Sequence, residues 1–100
     1  MNRLDIPKAK SLRGEIVKNL YDLYDMPIPL NKISDLLRYK TFYNKDDIKK
    51  AVSYLAGAKK EFVEVKINEK DYWASFVQLT PHGVNLAEGD IKDKGVVFSE

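Results

Sequence analysis

An α+β domain is what this sequence predicts: three helices, a β-hairpin and a short closing helix. Two observations carry that reading. Apolar residues recur at helical spacing up to Leu55, and two runs rich in branched and aromatic residues follow, joined by the polar Asn68-Glu69-Lys70-Asp71. The segment that ends the second run, Leu79-Thr80-Pro81-His82-Gly83, has the chemistry of a strand passing into a helix.

The elements follow in order. Residues 1–10 mix charge and apolar side chains without a period and contain Pro7, so they are expected to form a flexible, extended N-terminal arm. Ser11 caps a first helix over about residues 11–24, with a stripe of Leu12, Ile16, Leu20, Leu23 and Tyr24. Pro27 and Pro29 hold the next residues extended, and Ile28 is placed to add a short edge strand. Asn31 caps a second helix of about two turns carrying Ile33, Leu36 and Leu37 and ending near Arg38 or Tyr39. The third helix begins at Asn44, with Asp47 three positions on in the manner of a capping box. Its buried stripe is Ile48, Ala51, Val52 and Leu55, and Gly57 is the expected C-cap with positive φ. Alternation in the hairpin places Val63, Val65 and Ile67 on one face, with Trp73, Ser75, Val77 and Leu79 on one face of the partner run. Residues 11–89 make the domain, and residues 90–100 are expected to be a tail that is loose unless docked.

Composition narrows the function. With 100 residues, 44% of them hydrophobic, the chain has room for one core, and its lack of cysteine excludes disulfides and thiolate metal sites. No apolar run approaches the roughly 20 residues needed to cross a bilayer, so a soluble, cytoplasmic protein is expected. His82 is the sole histidine, acids are scattered, and the glycines stand singly rather than in a phosphate loop. The expectation is a non-enzymatic protein without cofactor or metal.

The net charge of +2 is small but unevenly spread. Residues 32–60 hold eight bases against three acids, whereas residues 61–100 hold four against eight. The basic field therefore centres on the third helix. Turned about its core stripe, that helix presents Asp46, Lys50 and Ser53 outward, with Lys49 on one flank and Tyr54 on the other. Lys40, Thr41, Tyr43 and Lys45 would stand at its entrance, and Lys66 and Lys70 on the hairpin. Such a surface suits double-stranded DNA, the helix entering the major groove and lysines neutralising phosphates. Lysines on an exposed helix face are also often only a solvated surface. Asp46 opposes binding unless it accepts from a cytosine amine or pairs with a nearby lysine.

Three helices followed by a hairpin is the element order of a winged helix-turn-helix, and Leu79-Thr80-Pro81-His82-Gly83-Val84 resembles the leucine-threonine-x-x-glycine junction closing the wing in bacterial regulators of the MarR, PadR and ArsR kind. Leu86-Ala87-Glu88-Gly89 followed by Gly95-Val96 is similar to small winged-helix proteins encoded in prophage gene clusters. The resemblance implies DNA binding and transcription regulation, through Lys45, Lys49, Lys50, Ser53 and Tyr54 of the third helix and Lys66 and Lys70 of the wing. The chain departs from these regulators in lacking long dimerisation helices and a cysteine metal sensor and in carrying an acid on the recognition face, so their homodimerisation and effector sensing do not carry over. The competing expectation is a protein-interaction module or homodimer using exposed tyrosines and the Val96-Val97-Phe98 tail.

Overall fold

The computed structural model describes residues 6–38 and 43–98. Among them are four α-helices and a three-stranded antiparallel sheet: α1 (Ile6–Asp22), β1 (Ile28–Pro29), α2 (Leu30–Arg38), α3 (Lys45–Ala56), β2 (Val63–Lys66), β3 (Phe76–Leu79) and α4 (Pro81–Ala87). A 3-10 turn, Tyr72–Ala74, lies between β2 and β3. The sheet order is β1-β3-β2, so β3 is central.

The extended arm expected over residues 1–10 does not include Ile6–Lys10, which form the first turns of α1. Pro7 is compatible with that start, because the early amides of a helix have no intrahelical acceptor to lose. Leu12, Ile16, Val17 and Leu20 are buried on α1, whereas Tyr24, expected to continue their stripe, lies past the helix end and is 46% exposed. Gly14 is buried because the backbone of Val97 crosses at that point, leaving no space for a Cβ.

Ile28 supplies the short strand its prolines suggest, pairing with Val77, and α2 starts at once with the Leu30 amide donating to the Ser75 carbonyl at 2.9 Å. On the other side of β3 the register runs from Val63 opposite Leu79 to Lys66 opposite Phe76. Val63, Val77 and Leu79 turn inward to meet Leu12, Ile33, Leu37, Ile48, Val52, Leu55 and Leu86 in one core. The second run of the hairpin is shorter than its composition suggests, because Tyr72–Ala74 winds into the 3-10 turn. Its cap is the Asp71 carboxylate, which accepts from the Trp73 amide at 3.1 Å.

Gly57 follows α3 as expected, but its φ of −58° is ordinary. The left-handed residue of this connection is Glu61, at φ 52°. Thr80 joins the end of the hairpin to α4: its hydroxyl donates to the Glu61 carbonyl at 2.6 Å and accepts from the Gly83 amide at 3.0 Å. Gly83 then passes so close to the Phe62 carbonyl that a Cβ has no room.

The segment after α4 is docked. Val96 is 7% exposed within the core cluster, and the Val97 amide donates to the Lys10 carbonyl at 3.1 Å. None of the helices is long and apolar enough to cross a membrane, among the described residues.

Candidate nucleic-acid interface

The outward face of α3 is fixed by what anchors the helix. Asn44 Oδ1 accepts from the Asp47 amide at 2.8 Å, and Asp47 Oδ2 accepts from the Asn44 amide at 3.4 Å, completing the capping box. Ile48, Ala51, Val52 and Leu55 are all buried. Lys45, Asp46, Lys49, Lys50 and Ser53 are consequently exposed.

Their surroundings differ. Lys50 Nζ meets Asp46 Oδ2 at 3.2 Å one helical turn away, with both side chains at least 70% exposed. An exposed i,i+4 pair contributes only about 0.3–0.5 kcal/mol, so it holds Lys50 loosely and can open toward a stronger anion. Lys49 Nζ instead lies 4.8 Å from the centre of the Tyr72 ring, and Lys45 Nζ lies 5.1 Å from that of Trp73. The two rings meet edge to face at 5.3 Å. Ammonium groups over aromatic faces at an exposed site contribute about 0.5–1 kcal/mol each, enough to bias their direction without neutralising them. The result is a basic ridge along α3 flanked by two half-buried aromatic side chains. Burial also raises the Tyr72 hydroxyl pKa.

The turn that places Tyr72 and Trp73 is built by short polar side chains. Asn68 Oδ1 accepts from the amides of Lys70 and Asp71 at 3.0 and 3.2 Å, and the Asn68 amide donates to the buried Ser75 hydroxyl at 2.8 Å. Trp73, expected on the face of a strand, and Tyr72, not among the expected contact residues, thus both stand beside α3. The available signal was Asp71, a capping residue immediately before two aromatics.

The expected contact residues do not all share this face. Lys45, Lys49, Lys50 and Ser53 do. Lys70 is exposed at the tip of the β2–β3 connection. Tyr43 is half-buried, with Lys8 Nζ 5.9 Å from its ring centre. Lys66 stands on the sheet face away from the core, beside Met26, Pro27, Phe76 and Gln78, so it is separated from the α3 lysines by the β2–β3 pair. Lys40 and Thr41 lie outside the described residues.

Tyr54 requires a correction. Its hydroxyl donates to Asp93 Oδ2 at 2.6 Å, and the Arg13 guanidinium lies 3.9 Å from its ring centre. Lys60 Nζ donates to Asp93 Oδ1 at 2.7 Å, while Arg13 donates to the Gly95 carbonyl at 2.9 Å. Tyr54 is therefore committed to the C-terminal segment rather than to the open face. Burial acts to raise the Asp93 pKa, but hydrogen bonds from Lys60, Tyr54 and the Gly95 amide outweigh it and hold that pKa below its ordinary value. Lys60 is shifted upward, first by its hydrogen bond to Asp93.

The surface considered for a protein partner is divided in the same way. Val96 is buried, whereas Val97 and Phe98 are 44% and 38% exposed. Tyr21 is exposed but donates to Glu88 Oε2 at 2.7 Å. His82 stacks on Phe62 with ring centres 5.0 Å apart. Among the described residues, no group of three His, Cys, Asp or Glu side chains is placed to hold a metal. Comparison of the chain with protein-family models, curated proteins and solved structures finds no match.

Proposed function

We propose that this chain is a small, non-enzymatic DNA-binding protein of the winged helix-turn-helix kind, acting as a cytoplasmic transcription regulator of bacterial or prophage type. The observation that carries the reading is the ridge of Lys45, Lys49 and Lys50 on one capped helix, with Tyr72 and Trp73 beside it. The element order and the sheet order β1-β3-β2 support it, since they set α3 and the β2–β3 connection side by side. In this reading α3 enters the major groove and the lysines pair with phosphates. Lysine suits that role better than base discrimination, which favours the rigid fork of arginine. Asp46 gives up Lys50 to a phosphate on docking, so affinity is modest and specificity low.

Fluorescence anisotropy with a mixed-sequence duplex at low salt is the direct test, and the emission of Trp73, the sole tryptophan, is an internal probe of docking. Binding is expected to weaken steeply with salt. Lys49→Glu/Lys50→Glu should flatten the log–log salt slope by about 2 and weaken binding at least about tenfold. No duplex binding at tens of micromolar protein would overturn the proposal.

A further inference from the structure

The sheet ends on an open edge. In the order β1-β3-β2, β2 has β3 on one side and, among the described residues, no strand on the other. The Thr80 amide donates to the Phe62 carbonyl at 3.0 Å, which fixes the phase of the ladder. With Glu64 opposite Gln78 and Lys66 opposite Phe76, antiparallel alternation turns the backbone groups of Glu64 and Lys66 toward β3 and those of Val63 and Val65 outward. The Asn68 amide turns in to the Ser75 hydroxyl, so the same alternation leaves Ile67 outward as well.

The side chains along this edge are complementary to themselves. Glu64 and Lys66 flank Val65, are both exposed, and enter no ion pair among the described residues. Let a second copy approach antiparallel with Val65 opposite Val65. Glu64 of each copy then faces Lys66 of the other, at the pair type where side chains come closest. Val63 faces Ile67, and the outward amides of Val63, Val65 and Ile67 meet outward carbonyls. Centring the pairing on Glu64 or on Lys66 instead sets like charges face to face. The charge order thus selects one register.

The apolar side agrees. Ile67 is 56% exposed, and it rims a groove of about 470 Å³ between α3 and β2, lined by Val52, Ala56, Val63, Val65 and Tyr72. In this register Ile67 of one copy lies beside the Val63 end of the other copy's groove.

We propose that β2 is a dimerisation edge, through which two copies pair β2 to β2 about Val65 and join their sheets into one. The interface is isologous, so each contact occurs twice and the assembly closes. Pairing also covers an edge that would otherwise template indiscriminate association. In the dimer Lys66 answers Glu64 of the other copy rather than a phosphate. The inference rests on the sheet and its register, not on DNA binding.

Sedimentation velocity of the full chain across micromolar to hundreds of micromolar concentrations tests it, with cooperative thermal unfolding as the control for folding. The natural sequence should dimerise. Glu64→Lys and Lys66→Glu, each alone, should weaken the dimer by about tenfold or more, because each sets like charges opposite one another twice. The double variant Glu64→Lys/Lys66→Glu should restore it. A chain that stays monomeric at hundreds of micromolar, a dimer indifferent to both single reversals, or a double reversal that does not restore association would each overturn the proposal.

Discussion

Lys50 and Tyr54 leave the same helix one turn apart and meet opposite fates. Among the described residues Lys50 reaches only Asp46, in a pair exposed on both sides, and stays available. Tyr54 is enclosed by Arg13, Lys60 and Asp93, and through Asp93 and Gly95 it helps fasten the chain after α4. The comparison shows that polar side chains on one helix are sorted by what crosses above them. Where a second segment lies over the helix, charges and hydroxyls are consumed in holding it. Where nothing does, the same chemistry is left for solvent or a partner.

The largest effect that separates the two regions is expected from Gly14→Ala. The new methyl would overlap the Val97 carbonyl, so the C-terminal segment must shift or α1 must strain, at about 1–3 kcal/mol. Urea unfolding measures the loss, and duplex affinity should be unchanged. A simultaneous fall in duplex affinity of the folded protein would break the separation between the regions.

Asp93→Ala should come next, at about 1–2 kcal/mol, since it leaves the Tyr54 hydroxyl and Gly95 amide without their acceptor. The same carboxylate gives the fastening a pH dependence. Its pKa is depressed in the folded protein, so its contribution is fully present above the ordinary aspartate pKa and is lost as pH falls through the lower, folded value. Protection of the Val97 amide, the slowing of its exchange relative to an unfolded chain at the same pH, should therefore fall in acid for the natural chain. Asp93→Ala should remove that acid-dependent step.

The smallest stability effect belongs to the open face. Asp46→Asn loses a weak ion pair and an acid in the first turn of α3, a change of about 0.5–1 kcal/mol. Its duplex affinity should rise a few-fold, since Lys50 no longer has a competing anion. Equal or weaker duplex binding would contradict the role given to Lys50.

Local chemistry made much of this fold readable. The Asn44–Asp47 cap, the Pro81 start of α4 and the stripe of α3 depend on residues within a few positions of one another, and each forms where the sequence places it. Ile28 was readable for the same reason, because its flanking prolines leave it little but an extended conformation. What escaped depends on distant partners. The fastening of residues 93–97 needs Arg13, Tyr54 and Lys60 brought together from three parts of the chain, and no period in the tail announces it. The 3-10 turn hid behind aromatic residues that favour strands when read alone. At the candidate interface the lysines were legible as charge, but their direction over Tyr72 and Trp73 was not.

The Thr80 hydroxyl also makes one atom answer for two elements. α4 spans seven residues, too few to persist alone in water, and its cap sits on a side chain whose proton is given to the carbonyl of Glu61. The oxygen that caps α4 is thus held in place by the end of the hairpin, so loosening the contact between residues 61 and 80 loosens the start of α4 with it.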